Sequence, residues 1–419
     1  MFSFTKVSSN DSVGYRDSKL LYIQPLSNTK NGLEFLLNTQ KRYLKLSDSA
    51  LAFSVDLPDN YIPDNDFCNK LFENIIIDVD QDTISKRGSE FDNTMSSLFL
   101  NKAMFDENYM ESTMSTQGVY DLFNLDADDI DGQQVNVRQA VCTVVPKEID
   151  GNKQKWLRYD FILPLNHGLA RTYEPLPAKT ELRLKYHRAP SSFAIMKISE
   201  NVTVLDDQAL LSTPFTFDQL VIPIIKPTFR ALYLKSPELD SKMRGYEQYP
   251  FEISYLDYVV RKPILNDGES DFLVDLTKGR MPSYAVFAIA PLSRLTGSDK
   301  ECITKFTRHD LKSFEILIDN LKIEGFPLIT NADFYNNFLV ATDRYMNPWS
   351  SGVLPFIQFV EGNFFIIVNF EQLEKIEGST HIHVKLSFNK ALTEKFTLLY
   401  MPMTQRVLTI TPDGDVSVD

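Results

Sequence analysis

Along most of the chain apolar and polar residues alternate with a period of two, the pattern of strands with one face in a core and the other in water. Leu182, Leu184 and Tyr186 alternate with Glu181, Arg183, Lys185 and His187, and Ile382, Val384, Leu386 and Phe388 alternate with His381, His383, Lys385 and Ser387. Shorter stretches of the same kind occupy residues 42–46, 71–79, 251–255, 284–290, 314–318, 364–370, 396–401 and 406–410. Between them Pro58-Asp59-Asn60, Asn266-Asp267-Gly268 and Pro412-Asp413-Gly414 supply turn conformations. The pattern predicts an all-β protein built from antiparallel sandwiches.

Two stretches break the rhythm and read as helices. Ser89 with Asp92 three residues on opens the first, which places Phe91, Met95, Leu98 and Phe99 on one face. Asn331 is the expected cap of the second, over about 331–343, which presents Phe334, Phe338 and Ala341. Both lie within runs of strands, as insertions in sandwich loops. At 419 residues the chain is long enough for two or three domains on a prior of roughly 150 residues each. The alternation lapses over residues 199–215, so we expect a polar arm at 1–32, a first unit at 33–205 with a helical insertion at about 86–124, a second unit at 206–411, and a tail at 412–419.

Charge sharpens this picture. The formal net charge is -13, and residues 56–132 hold 18 Asp and Glu against 4 Lys and Arg, so nearly all the excess sits in one stretch. A protein that grips nucleic acid through its whole surface needs clustered Lys and Arg instead, and sequence-specific nucleic-acid binding is not expected. Cys68, Cys142 and Cys302 are too scattered for a metal knuckle or a disulfide framework, which suits a reducing compartment. The first residues lack a basic segment followed by an apolar core, so no signal peptide is expected, and Asn10 and Asn201 are expected to stay unglycosylated. The longest near-apolar run, residues 284–292, is far short of the roughly 20 residues of a membrane helix, so no membrane span is expected.

Candidate chemistry is sparse. There is no phosphate-binding glycine loop, HExxH or GxSxG. His381 and His383 share a strand face, a geometry that holds zinc if a third ligand arrives, but they alternate with apolar residues and read as surface histidines. The run Asp126-Ala127-Asp128-Asp129-Ile130-Asp131-Gly132 invites a calcium reading, yet its glycine and twelfth position are wrong for the calcium loop, and it reads as a solvated acidic loop. Cys302 and His309 suggest a thiolate and base, though seven residues of separation does not bring them together, and a buried structural cysteine is the plainer reading. With 56 carboxylates, no chosen pair argues for glycosidase chemistry. The 30 Phe are not interleaved with basic residues, so they read as core rather than as base-stacking platforms. No catalytic residue, cofactor or metal is assigned.

A resemblance adds to this reading. Ile84-Ser85-Lys86-Arg87-Gly88-Ser89-Glu90, the helix after it, and Ser115-Thr116-Gln117-Gly118-Val119-Tyr120 resemble the helical insertion in the first jelly roll of Polinton (Maverick) major capsid proteins. In the same order, residues 156–165 and 179–196 (KTELRLKYHRAPSSFAIM) are similar to the strands that close that jelly roll. Tyr249-Pro250, Lys278-Gly279-Arg280-Met281-Pro282, the strand at 285–290, Leu295-Thr296-Gly297-Ser298, His309-Asp310-Leu311, Gly325-Phe326-Pro327-Leu328 and the helix from Asn331 resemble the second. The likeness spans about residues 33–410. Two segments depart from it: the charged run after Ser298 (DKECITKFTRHD) and the acidic loop at 121–131.

The resemblance implies a double jelly roll, two eight-stranded antiparallel sandwiches in one chain. It implies a non-enzymatic, hexon-like major capsid protein that forms pseudo-hexagonal homotrimers, joins laterally into an icosahedral shell around double-stranded DNA, and meets a minor capsid or penton protein. The location implied is the virion, and the host cell interior during assembly. The acidic loop is expected to face away from the genome, and the polar arm to order by crossing to a neighbour. The alternatives are a sandwich-built carbohydrate-binding or carbohydrate-active protein, or a capsid-derived protein resident in a host genome.

Overall fold

A computed structural model of the chain describes residues 17–39, 42–84, 93, 94, 118, 125–131, 135, 142–149, 152–172, 174–198, 222–235, 241, 249–279, 281–298, 300–342, 354–371 and 380–419. The first sandwich contains β1 (Asp17–Ile23), β2 (Ser27–Thr29), β3 (Gly32–Asn38), β4 (Tyr43–Pro58), β5 (Tyr61–Pro63), the short helix α1 (Phe67–Lys70), β6 (Phe72–Val79), β7 (Asp82–Thr83), β8 (Cys142–Ile149), β9 (Asn152–Pro164), β10 (Glu181–Arg188), β11 (Ile195–Lys197) and β12 (Ile224–Lys235). Its sheets run β1-β12-β4-β9-β8 and β2-β3-β10-β6-β7, with β5 and β11 forming a separate ribbon.

The second sandwich contains β13 (Phe251–Tyr258), β14 (Ile264–Leu265), β15 (Asp271–Gly279), β16 (Tyr284–Pro291), β17 (Leu311–Ile318), β18 (Leu321–Lys322), helices α2 (Asn331–Ala341) and α3 (Phe356–Gly362), β19 (Ile366–Asn369), β20 (Thr380–Phe388), β21 (Phe396–Ile410) and β22 (Val416–Val418). Its sheets run β13-β21-β16-β19, with β14 and β22 also on β21, and β15-β20-β17-β18.

These orders are one topology used twice. Taken in chain order, β1, β3, β4, β6, β7, β9, β10 and β12 correspond to β13, β15, β16, β17, β18, β19, β20 and β21, with the same neighbours in each sheet. The architecture is the expected double jelly roll, eight repeated strands to each sandwich. α2 and α3 lie between β18 and β19, the position that residues 85–141 occupy in the first repeat.

The repeat corrects the expected boundaries. β12 lies beyond residue 206, yet it pairs with β1 and β4, and Ile224, Phe229, Ala231 and Tyr233 pack in the first core. A register shift between Ile225 and Thr228, with Lys226 at φ 48°, breaks the alternation that marks strands elsewhere. The first sandwich therefore ends at β12 and the second begins at β13. The expected arm at 1–32 contains β1 and β2, which pair within the same chain, so residues 17–32 need no neighbour to order them. The expected tail contains β22, paired with β21. Ser89, Phe91, Asp92, Met95, Leu98 and Phe99 of the proposed first helix fall outside the described residues, as do Asn10 and Asn201.

Each sandwich closes over its own core. Phe35, Phe53, Phe161 and Phe229 are buried in the first and Phe287, Phe314 and Tyr400 in the second, with Phe287 5.2 Å from Phe314 and stacked 5.1 Å from Tyr400. Burying each such ring stabilises the fold by about 1.5–3 kcal/mol. Helix α2 is capped by Thr330 rather than Asn331: Thr330 Oγ1 accepts from the Asp333 N–H at 3.1 Å, and Asp333 returns a bond to the Thr330 N–H at 2.7 Å. Threonine holds the cap because its partner carboxylate stands three residues on, which completes a reciprocal capping box. Phe334, Phe338 and Ala341 face inward as expected, against Phe359, Phe364 and Phe365.

Candidate functional site

For a chain of two like units, the contact between the units is the first site to characterise. The seam is apolar at one end. Phe251, Ile253 and Tyr255 of β13, with Leu408 and Ile410 of β21, face out of the second sandwich and are continuous with the first core. The loop after β9 sits on β13 so closely that a Cβ on Gly168 would lie 1.7 Å from the Leu256 carbonyl oxygen. Beside it, Tyr258 donates to the Asn166 carbonyl at 2.9 Å, and the His167 ring lies 5.9 Å from Tyr255 and 6.5 Å from Tyr258. His167 Nδ1 accepts from the Leu169 N–H at 3.2 Å. Burial disfavours its charged form and brings its pKa down to about 4.

The other end of the seam is ionic. Lys70 of α1 is fully buried and pairs with Asp64, while its Nζ lies 3.2 Å from Cys302 Sγ of the second sandwich. Burial is the largest single influence and opposes the charge on Lys70, but Asp64, Cys302 and Asp66 together outweigh it and push the pKa up. The Cys302 thiol is pushed up by burial and by Asp64, and it lies 3.2 Å from Thr304 Oγ1.

The acidic loop joins this cluster. Asp126 Oδ1 accepts from the Cys302 N–H at 2.8 Å and from Arg294 Nη1 at 3.2 Å, and its Oδ2 lies 2.8 Å from Lys305 Nζ. Asp129 Oδ2 is also 2.8 Å from Lys305, and the Ala127 N–H donates to the Lys300 carbonyl at 2.7 Å. The expected solvated acidic loop is thus corrected for Asp126, whose carboxylate is largely covered and paired with cations from the other sandwich, whereas Asp129 meets Lys305 from an exposed position, as expected. The two segments that depart from the resemblance meet each other here.

The remaining candidates do not converge. His381 and His383 stand on β20 with ring centroids 6.3 Å apart, facing away from the core that holds Ile382 and Val384. Among the described residues no group of three or more His, Cys, Asp or Glu is arranged to hold a metal ion. Cys302 lies in the seam, whereas His309 packs on the Phe396 ring at 5.1 Å and contacts Thr307 at 3.1 Å. Cys68 and Cys142 are free thiols, the first buried. No helix among the described residues is long and apolar enough to cross a membrane. Sequence reasoning missed Lys70, Asp64, Arg294 and Lys305. The signal for Lys305 is the charged run after Ser298, which has its counter-charge in the acidic loop.

No protein-family model matches the chain, and no curated protein matches it. Solved structures do. A chain of the Sputnik virophage particle superposes with a TM-score of 0.65 at 10% identity, over 97% of this chain and 89% of that one. The mavirus major capsid protein gives a TM-score of 0.58 at 11% identity, over 100% of this chain and 93% of that one. A chain of the PBCV-1 virus capsid gives 0.55 at 11% identity, over 96% of each chain. The likeness runs the whole length of both partners, so this chain has the double jelly-roll fold of those viral chains.

Proposed function

We propose that this chain is the major capsid protein of a double-stranded DNA virus or a virus-like mobile element. The observation that carries the reading is the pairing of one jelly-roll topology used twice with a seam that fixes the two copies against each other. A unit of that kind has six-cornered packing within reach: three chains contribute six sandwiches, and such a block tiles a shell. The full-length likeness to the mavirus major capsid protein supports the same reading.

The role is structural rather than catalytic. Copies associate into a homotrimer, trimers join laterally through individually modest contacts that let misplaced blocks leave, and a separate penton protein fills the vertices. The protein then resides in the virion, after assembly inside a host cell. The acidic loop faces away from the genome, because carboxylates against DNA repel it. The experiment is purification of the full chain followed by light scattering and negative-stain microscopy. A trimer that forms hexagonal arrays is the expected result, and a monomer at micromolar concentration overturns the proposal.

A further inference from the structure

The repeat gives each sandwich the same edge, β1 beside β12 in the first and β13 beside β21 in the second. On the inward side of these edges Leu21 and Ile23 pack against the first core, as Leu256 and Tyr258 pack against the second. On the outward side Leu20 stands opposite Leu232 and Tyr22 opposite Arg230; in the second sandwich Ile253 stands opposite Leu408 and Tyr255 opposite Arg406. Aliphatic meets aliphatic and tyrosine meets arginine at matching places. The surroundings differ sharply. Ile253 and Tyr255 are 1% and 3% exposed, because the first sandwich of the same chain covers them, whereas Leu20 and Tyr22 are 43% and 62% exposed.

The bare edge keeps the tyrosine–arginine contact in the open: the Arg230 guanidinium stands 5.8 Å from the centre of the Tyr22 ring.

We propose that the outward face of β1 and β12, centred on Leu20, Tyr22 and Arg230, docks the second sandwich of another copy of this chain. The contact inside the chain is heterologous: the edge face of the second sandwich lies against the flank of the first. The same edge, with the same residue chemistry, is presented bare by the first sandwich, and the matching occupant is a second sandwich that the chain cannot supply to itself. Contacts of this head-to-tail kind close into a ring when the rotation permits. The inference rests on the homotrimer reading and gives that trimer its interface.

The test is light scattering on the full chain at a series of concentrations. The wild type is expected to be a trimer, and the Leu20→Lys/Tyr22→Asp double variant a folded monomer whose association is weaker by about a hundredfold or more. Leu273→Lys, on the edge strand β15 and 66% exposed, is the control and is expected to remain trimeric. If the double variant does not fold, Tyr22→Ser alone reads the same face: association weaker by about tenfold supports the assignment. Trimers of either variant as tight as the wild type overturn this interface and leave the trimer reading standing. A monomeric wild type overturns both.

Discussion

Asp126 Oδ2 of the first sandwich lies 2.8 Å from Lys305 Nζ of the second, and the same carboxylate also holds Arg294 and the Cys302 N–H. One side chain therefore satisfies three donors across the seam. Removing it leaves the Cys302 N–H without its acceptor and leaves Arg294 only Glu301, at 3.9 Å, as an ion-pair partner. Asp126→Ala is expected to lower unfolding free energy by about 2 kcal/mol. The exposed neighbour Asp128 is expected to tolerate the same change within about 0.5 kcal/mol. Urea titration of both variants checks the difference; equal midpoints would show that Asp126 does not hold the seam.

Lys70 gives a sharper contrast. Its Nζ is fully buried against Asp64, so Lys70→Met leaves a buried carboxylate without its counter-charge, at a cost of about 3–5 kcal/mol. The Lys70→Met/Asp64→Leu double variant removes both charges and is expected to recover a large part of that loss, since apolar replacements of a buried pair are often neutral or better. Denaturant unfolding of the two variants decides the matter. A double variant weaker than the single would mean that Asp64 matters mainly through its other bond, to the Asn65 N–H at 2.6 Å.

His167 makes the seam sensitive to acid. Its folded pKa of about 4 lies below the ordinary value of 6.5, so the unfolded chain binds the extra proton first as pH falls. The stability it protects is complete above pH 6.5 and is lost progressively as the pH drops through 4, by at most about 3 kcal/mol. His309, also lowered to about 4 by burial, adds loss of the same sign. His167→Gln keeps a neutral acceptor for the Leu169 N–H and is expected to flatten part of the slope between pH 6.5 and 4. Thermal unfolding of both proteins across that window measures it, and identical slopes would remove His167 from the account.

How much of this was legible in the sequence depends on what each feature asks of its neighbours. Strands such as β10 and β20 declare themselves because every second side chain enters one core, Leu182, Leu184 and Tyr186 in the first and Ile382, Val384 and Leu386 in the second. β12 was missed because the bulge at Lys226 and Pro227 shifts its period midway. β1 was missed because its outward residues are as apolar as its inward ones, so Leu20-Leu21-Tyr22-Ile23 shows no alternation. The seam was illegible for another reason: Lys70 and Cys302 are 232 residues apart, and neither stands in a motif. The charge segregation that set residues 56–132 apart was real information, but it could not say that the acidic loop meets Lys305.

The last expectation concerns Gly297, one of the residues that carried the resemblance. It sits at φ 85° and ψ 143°, backbone that essentially only glycine adopts, and a Cβ there would lie 2.3 Å from Ser192 Oγ and 2.5 Å from the Phe193 ring. Both contacts belong to the first sandwich, so the strain and the clash fall on the seam. Gly268, at φ 82°, would place its Cβ in open space. Gly268→Ala therefore pays only the backbone term of about 1 kcal/mol, whereas Gly297→Ala is expected to lose about 3 kcal/mol or more. Because the Gly297 penalty arises between the units, limited proteolysis is expected to cut that variant faster between β12 and β13 than it cuts the wild type. Equal stability of the two alanine variants would mean that Phe193 moves aside freely, and the close approach of the sandwiches at that point would then have no part in holding them together.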